Sequence, residues 1–259
     1  MTTPLIEYGR TGRPLPFPVY DVHAHINDFS TITTPGNEAL IREMDRIGVR
    51  ASIISSVDAI YGDVRRGNDD VAEAVQKYPG RFFGYCHVSA QYPNLIIPEV
   101  ERCFATPWFK GIKVYQVGTN YDDPLFDPLW RFAENRQIPV LAHTWGTSLT
   151  GYDNVAPRFP GVPFLMGHSG SGFAYDCYIK AAGKSPNLYL DLTYSREHTN
   201  MIEHMVGAVG AERVVWGSDS PTFSMGQQIG KVLFARISDA DKKTILLDNA
   251  ARLFNVPAT

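Results

Sequence analysis

Eight short apolar runs, each followed by a stretch of helical periodicity, constrain this chain more than any other feature. The runs are FPVYDVHAH ending at His25, RASIISSV (50–57), RFFGYCHVSA (81–90), FKGIKVYQ (109–116), IPVLAHT (138–144), VPFLMGHSG (162–170), NLYLDLT (187–193) and RVVWGSD (213–219). Several are nearly continuous in apolar residues rather than alternating, the pattern of parallel strands buried on both faces. Between them lie amphipathic stretches such as NEALIREMDRIG, NDDVAEAVQKY, DPLWRFAENRQ and DADKKTILLDNAARLF. NDDVAEAVQKYPG opens with Asn and acids and closes with Pro-Gly, a helix start and stop by local chemistry. Asp127-Pro128 reads as an N-cap followed by proline at the first helical position. The fifth connection, 145–161, is rich in Gly, Thr and Pro and reads as a loop with a short helix.

Eight strand-plus-helix units in 259 residues is the arithmetic of an α/β chain folded as a (β/α)8 TIM barrel. A doubly wound sheet would show the same alternation, but no G-x-G-x-x-G or P-loop follows the first run. With no low-complexity segment and no linker, one domain over 1–259, with an N-terminal extension over 1–16, is the economical organisation.

Composition narrows the function classes. The 24 Lys+Arg against 27 Asp+Glu give a net charge of -3, so there is no basic surplus to hold a phosphate backbone and nucleic acid is not an expected partner. There is no apolar run of about 18 residues to span a membrane and no signal-peptide pattern. Three scattered cysteines, Cys86, Cys103 and Cys177, argue for packed thiols in a reducing compartment. The chain reads as a cytoplasmic protein acting on a small molecule.

In a barrel the active site is built where the strands end. Reactive side chains collect there: His23 and His25 in the first run, His143 in the fifth, His168 in the sixth and Asp219 in the eighth. Residues two apart on a strand face the same side, so His23 and His25 can both face the barrel axis. Alone, a His-x-His pair is also what two hydrogen-bonded structural histidines look like. Joined by His143 and Asp219, the pair makes three imidazoles and one carboxylate, a shell for a catalytic divalent ion with room for water. His168, in MGHSGSG, stands where glycines allow close approach of a substrate, as a general acid/base or a ligand to a second ion. His87, His198 and His204 read as structural or solvent-exposed. Tyr115, Trp145, Tyr194, Arg65, Arg66 and Arg196 fall at or just after strand ends. Tyr115 and Trp145 are the expected substrate-binding residues, and an arginine there would suit a carboxylate.

Taken together, YDVHAH, KYPGRFFGYCHV, FKGIKVY, PVLAHT, FLMGHSG, LYLDLT, RVVWGSDSP and DNAARLF resemble, in order, the amidohydrolase superfamily over about Asp21 to Phe254. Within it they resemble the amidohydrolase-related branch of decarboxylases and lactone hydrolases. The resemblance implies metal ligands at His23, His25 and His143, with Asp219 on the ion or its water and shuttling the proton, and His168 as acid/base. It implies one divalent ion, with zinc the default for this shell and manganese, iron or cobalt the competitors. Lys113 stands near the place where other branches carry a carbamylated lysine between two ions. Relatives often pair as homodimers. The expected activity is hydrolysis of an ester, lactone or amide by metal-activated water. The alternative is non-oxidative decarboxylation of a small carboxylic acid, aromatic ones included, which the same ligands serve.

Overall fold

The structure, a computed structural model, describes residues 4–27, 36–115, 118–194 and 199–258. Eight strands form one sheet in chain order: β1 (Val19–Ile26), β2 (Val49–Ser56), β3 (Phe82–Val88), β4 (Phe109–Val114), β5 (Val140–His143), β6 (Phe164–Gly167), β7 (Leu188–Asp191) and β8 (Val214–Val215). Every neighbouring pair is parallel. The sheet closes on itself, because Val22 N–H donates to Trp216 O at 3.1 Å and His25 N–H to Ser220 O at 2.8 Å. This is a (β/α)8 barrel.

Helices fill the connections: α1 (Leu5–Thr11) precedes β1, and α2 (Asn37–Ile47), α3 (Val57–Tyr61), α4 (Val64–Lys77), α5 (Ile96–Phe104), α6 (Asp127–Arg136) and α7 (Tyr152–Val155) follow. The second half carries α8 (Tyr175–Lys184), α9 (Met201–Val209), α10 (Met225–Phe234), α11 (Asp239–Lys243) and α12 (Asn249–Phe254). No helix among the described residues is long and apolar enough to cross a membrane.

Strand alternation divides the core in two. Val19, Ile54, Phe82, Ile112, Val140, Phe164 and Leu188 face outward and pack against the helices. Tyr20, Val22, Ile53, Tyr85, Leu141, Leu165, Tyr189 and Val215 fill the interior with Phe254 of α12. The Tyr20 hydroxyl donates to Pro257 O at 2.7 Å, so the C-terminus closes the end where the strands begin. That leaves the opposite end open for a site.

Local chemistry shifts some element starts. The helix expected to open at Asn68 begins a turn earlier, because Asp63 accepts from Arg66 N–H at 3.0 Å and is the true N-cap. Asn68 is instead buried inside α4 and donates to Glu99 and to His87 O, each at 2.9 Å. Asp127 is the first residue of α6 rather than its cap, and its carboxylate pairs with Arg158. The 145–161 connection carries the short α7. The N-terminal stretch holds α1, tied to the chain's far end by Leu5 N–H donating to Asp239 at 3.0 Å.

Candidate active site

Two histidines of β1 face the barrel interior through a change of phase. Tyr20 and Val22 point inward, so strict alternation would send position 23 outward. The β1–β2 register shifts between Asp21 and Ala24, which turns Ala24 to the outer core and His23 and His25 to the interior. Asp21 pins the shift: its carboxylate accepts from His23 N–H at 3.1 Å, Ser218 N–H at 2.9 Å and the Ser218 hydroxyl at 2.5 Å.

The next layer orients the rings. His23 Nδ1 lies 2.7 Å from Asp191 Oδ2, at the end of β7. A carboxylate accepts only, so Nδ1 carries the hydrogen and Nε2 keeps its lone pair toward the site. Asp191 is itself held by the Thr193 hydroxyl at 2.7 Å. His25 Nδ1 meets the Ser55 hydroxyl at 3.0 Å, a partner that satisfies either tautomer. Asp219 Oδ1 lies 3.1 Å from His25 Nε2 and 3.7 Å from His23 Nε2. Asp219 and His168 both adopt left-handed backbone, with φ of 59° and 60°. For residues other than glycine this costs about 1–2 kcal/mol, a strain found most often at functional sites.

Ligand atoms of His23, His25 and Asp219 lie within 4.8 Å of one another, the group among the described residues best arranged to hold an ion. His143 stands outside this trio but lines the same cavity. Its ring lies 4.2 Å from Tyr115 and 4.7 Å from His168. Burial, reinforced by the Lys113 charge, holds His23 well below the usual imidazole range. Burial pushes His143 down to about 2 and His168 to about 3. Burial alone would raise Asp219, but the hydrogen bond from His25 and the surrounding His168 and His23 hold it well below the usual carboxylate range. Neutral imidazoles beside an ionised carboxylate are the protonation states an ion needs, so the donor set fits a divalent metal.

A cavity of about 530 Å³ opens above this group. Its walls are rings: His143 stacks on Trp145 at 6.2 Å, Trp145 meets Tyr194 at 4.8 Å, and Tyr194 meets Phe223 at 4.6 Å. The Tyr61 hydroxyl bridges to the Tyr115 hydroxyl at 3.3 Å. Tyr115 and Trp145, expected at the substrate, both line this cavity.

Other expected residues lie elsewhere. Arg65 and Arg66 sit exposed on α4, Arg65 toward Glu99 at 3.5 Å, and neither lines the cavity. Arg196 and His198 lie outside the described residues. His204 is exposed on α9 beside Tyr175. His87 is fully buried, in line with the structural reading of it. Several participants had no role in the sequence reading, among them Asp191, Ser55, Ser218, Tyr61 and Phe223. The aspartate inside LYLDLT was the visible signal for the first.

Fold and site together define a barrel enzyme of the amidohydrolase superfamily. A family model described as Amidohydrolase matches residues 20–256, and the chain belongs to that family. A gamma-resorcylate decarboxylase of Polaromonas sp. (strain JS666 / ATCC BAA-500) is 25% identical over 283 residues, spanning 83% of this chain and 86% of the relative. A 2-amino-3-carboxymuconate-6-semialdehyde decarboxylase of Dictyostelium discoideum is 28% identical over 139 residues, 49% of this chain and 38% of the relative. A dihydroxybenzoic acid decarboxylase from Polaromonas sp. JS666, solved with manganese and 2-nitroresorcinol, superposes with a TM-score of 0.76. It is 19% identical, with 92% of this chain and 96% of that one covered. The activity these relatives are named for is decarboxylation, the alternative reading of the motifs, rather than the hydrolysis expected first.

Proposed function

We propose that the chain is a metal-dependent, non-oxidative decarboxylase of a small aromatic acid, in preference to a hydrolase. One observation carries this reading: the cavity that opens onto His25 and Asp219 is walled by the rings of Tyr61, Tyr115, Trp145, Tyr194 and Phe223. Such walls accept a flat ring and press its substituents against the cluster. The named activity of the relatives supports it, and the manganese bound in one of them puts manganese ahead of zinc.

His23, His25 and Asp219 would hold the ion, with His143 and His168 beside it. The ion would supply positive charge to orient the acid and draw electron density from its ring. Tyr115 and Trp145 stack on the ring and, with Phe223, keep water from the face being protonated. Asp219, ionised, accepts a proton from the substrate's hydroxyl or a neighbouring water and passes it to the ring carbon bearing the carboxylate. The C–C bond then breaks, its electron pair returns to the ring, and CO2 leaves. His168 lines the same pocket, and its neutral ring is available to hydrogen-bond the acid.

The test is direct. Protein loaded with manganese is given 2,6-dihydroxybenzoate, 5-carboxyvanillate and a panel of hydroxybenzoates, and CO2 release is measured beside turnover of esters, lactones and amides. CO2 release abolished by chelation and by Asp219→Asn supports the reading. Turnover of a lactone or amide with no CO2 from any acid overturns it.

A further inference from the structure

We propose that Lys113, backed by His87, forms an oxyanion subsite at the floor of the pocket that takes an anionic oxygen of the substrate. The inference rests on the reading that the pocket receives a flat acid, and it concerns how that acid is gripped.

Lys113 stands one residue before the end of β4, and it lines the cavity while being 1% exposed. Among the described residues it makes one hydrogen bond, 2.8 Å to His23 Nε2, and no carboxylate lies within ion-pair distance of its Nζ. An ammonium has three N–H donors, and burying a charge without a partner is costly. The His23 bond is moreover conditional. Nε2 has one lone pair, because Nδ1 is committed to Asp191, so it can accept from Lys113 or bind an ion but not both. With an ion held by His23, the ammonium has no acceptor left and faces a second positive charge in the same enclosed space. An anion lying between the two cations relieves both problems.

His87 adds the second half. It is the register partner of Lys113 across the β3–β4 ladder, is 1% exposed, and follows Tyr85 in the inward phase. Neither ring nitrogen has a hydrogen-bond partner among the described residues. Buried polar groups are nearly always paired, so an unpaired imidazole beside an underused ammonium marks a place where a polar ligand belongs. Neutral His87 can donate one hydrogen bond to the oxygen that Lys113 holds. Of the arginines expected to recognise a carboxylate, Arg65 and Arg66 face solvent, and Arg196 lies outside the described residues. Lys113 is the cation that lines this cavity among the described residues.

Binding without turnover tests the proposal. Quenching of tryptophan emission, for which Trp145 in the cavity wall is the reporter, is titrated with benzoate, 4-nitrophenolate and benzamide on manganese-loaded protein. The first two carry charge on a carboxylate and a ring oxygen, and benzamide carries none. The wild type is expected to prefer at least one anion over benzamide by about tenfold or more, the worth of one charge-assisted hydrogen bond. Lys113→Met is expected to lose that preference while keeping benzamide binding and bound manganese, and His87→Gln to lose part of it. Benzoate against 4-nitrophenolate tells whether the subsite takes the carboxylate or the ring oxygen. Wild type binding benzamide as tightly as both anions overturns the proposal whether or not the variants fold. So does Lys113→Met with the preference and metal content intact. A carbamate resonance on wild-type protein exchanged into 13C-bicarbonate also overturns it, because the lysine would then itself be the anion. CO2 release without the anion preference would sink this inference alone; the preference without CO2 release from any acid would sink the decarboxylase reading alone.

Discussion

Asp191 Oδ2 sits 2.7 Å from His23 Nδ1, joining the end of β7 to β1 over the intervening β8. Both groups are almost fully buried. The pair fixes which nitrogen of His23 is free, and so decides whether the trio with His25 and Asp219 can hold an ion. Asp191→Asn keeps the shape but can offer an N–H where the ring also donates. Outer partners of this kind are worth about 10–100-fold in metal affinity. We expect manganese affinity to fall by that factor with unchanged far-ultraviolet circular dichroism, read by titrating metal-stripped protein and counting bound manganese. Equal affinity in the variant would show that the pair is structural.

Gly217 is the second support for His23. A Cβ at that position would meet His23 Cβ at 2.4 Å, Thr193 Oγ1 at 2.3 Å and Asp191 Oδ1 at 2.9 Å. The segment after β8 has no room to yield, because all three neighbours belong to the buried layer that holds the histidine. Gly217→Ala is expected to destabilise the fold by about 1–3 kcal/mol, the usual toll of overpacking. It should also weaken metal binding. Gly183, near the end of α8 with nothing within 4 Å, is the contrasting case. There alanine should stabilise by up to about 1 kcal/mol, because it restricts the unfolded chain and favours helix. Urea denaturation of both variants beside the wild type measures the difference.

The barrel was legible because its cause is local. Parallel strands buried on both faces must be apolar almost throughout, so the eight runs stand out, and the polar residues ending them stand out more. His23, His25, His143, His168 and Asp219 all come to one cavity or its floor. What escaped depends on partners far apart in sequence. The phase shift that turns His23 inward is pinned by Ser218, 197 residues from Asp21. Ser55 and Asp191 gain their roles only once β2 stands beside β1 and β7 stands one strand beyond β8. Asn68 carries an ordinary capping signal, yet the demand of Glu99 and the His87 carbonyl draws it into the core. The division of the expected four-ligand set into a trio with His143 beside it also comes from three-dimensional placement alone, since strand-end position does not give distance.

Glu38, at the start of α2, accepts from the Tyr78 hydroxyl at 2.5 Å and from Lys77 at 2.9 Å. The Tyr78 bond, then the Lys77 bond, pull its carboxyl down to about 2. A carboxyl whose folded value lies below its unfolded one adds stability above the unfolded value, near 4.5, and loses it as pH falls toward the folded value. Glu38→Gln should therefore lower the urea midpoint slightly above about pH 4.5 and flatten its fall between about pH 4.5 and 2 by the same small amount, since both groups are solvent-exposed and screened. A parallel fall in variant and wild type would show that the pair adds nothing.

Trp145 is the most exposed tryptophan of the cavity wall. It is 46% exposed, which is unusual for tryptophan without a partner, and its ring lies parallel to His143 within 5°. That places one flat surface over another at the mouth, with Tyr194 and Phe223 continuing the wall. Removing the ring takes away stacking surface but leaves His23, His25 and Asp219 untouched. Aromatic pairs of this kind are worth about 0.5–1.5 kcal/mol beyond area, so Trp145→Ala should raise KM for an aromatic acid by up to about tenfold. The value of kcat should change much less, because stacking holds ground state and transition state alike. Trp145→Phe should recover most of the loss. Tyr115→Phe removes only the hydroxyl that meets Tyr61 and keeps the ring against His143, so its effect on KM should be smaller than that of Trp145→Ala. Steady-state kinetics on whichever hydroxybenzoate is turned over fastest separates these outcomes. A fall in kcat with KM unchanged in Trp145→Ala would mean that the ring orders the chemical step rather than the binding of the acid.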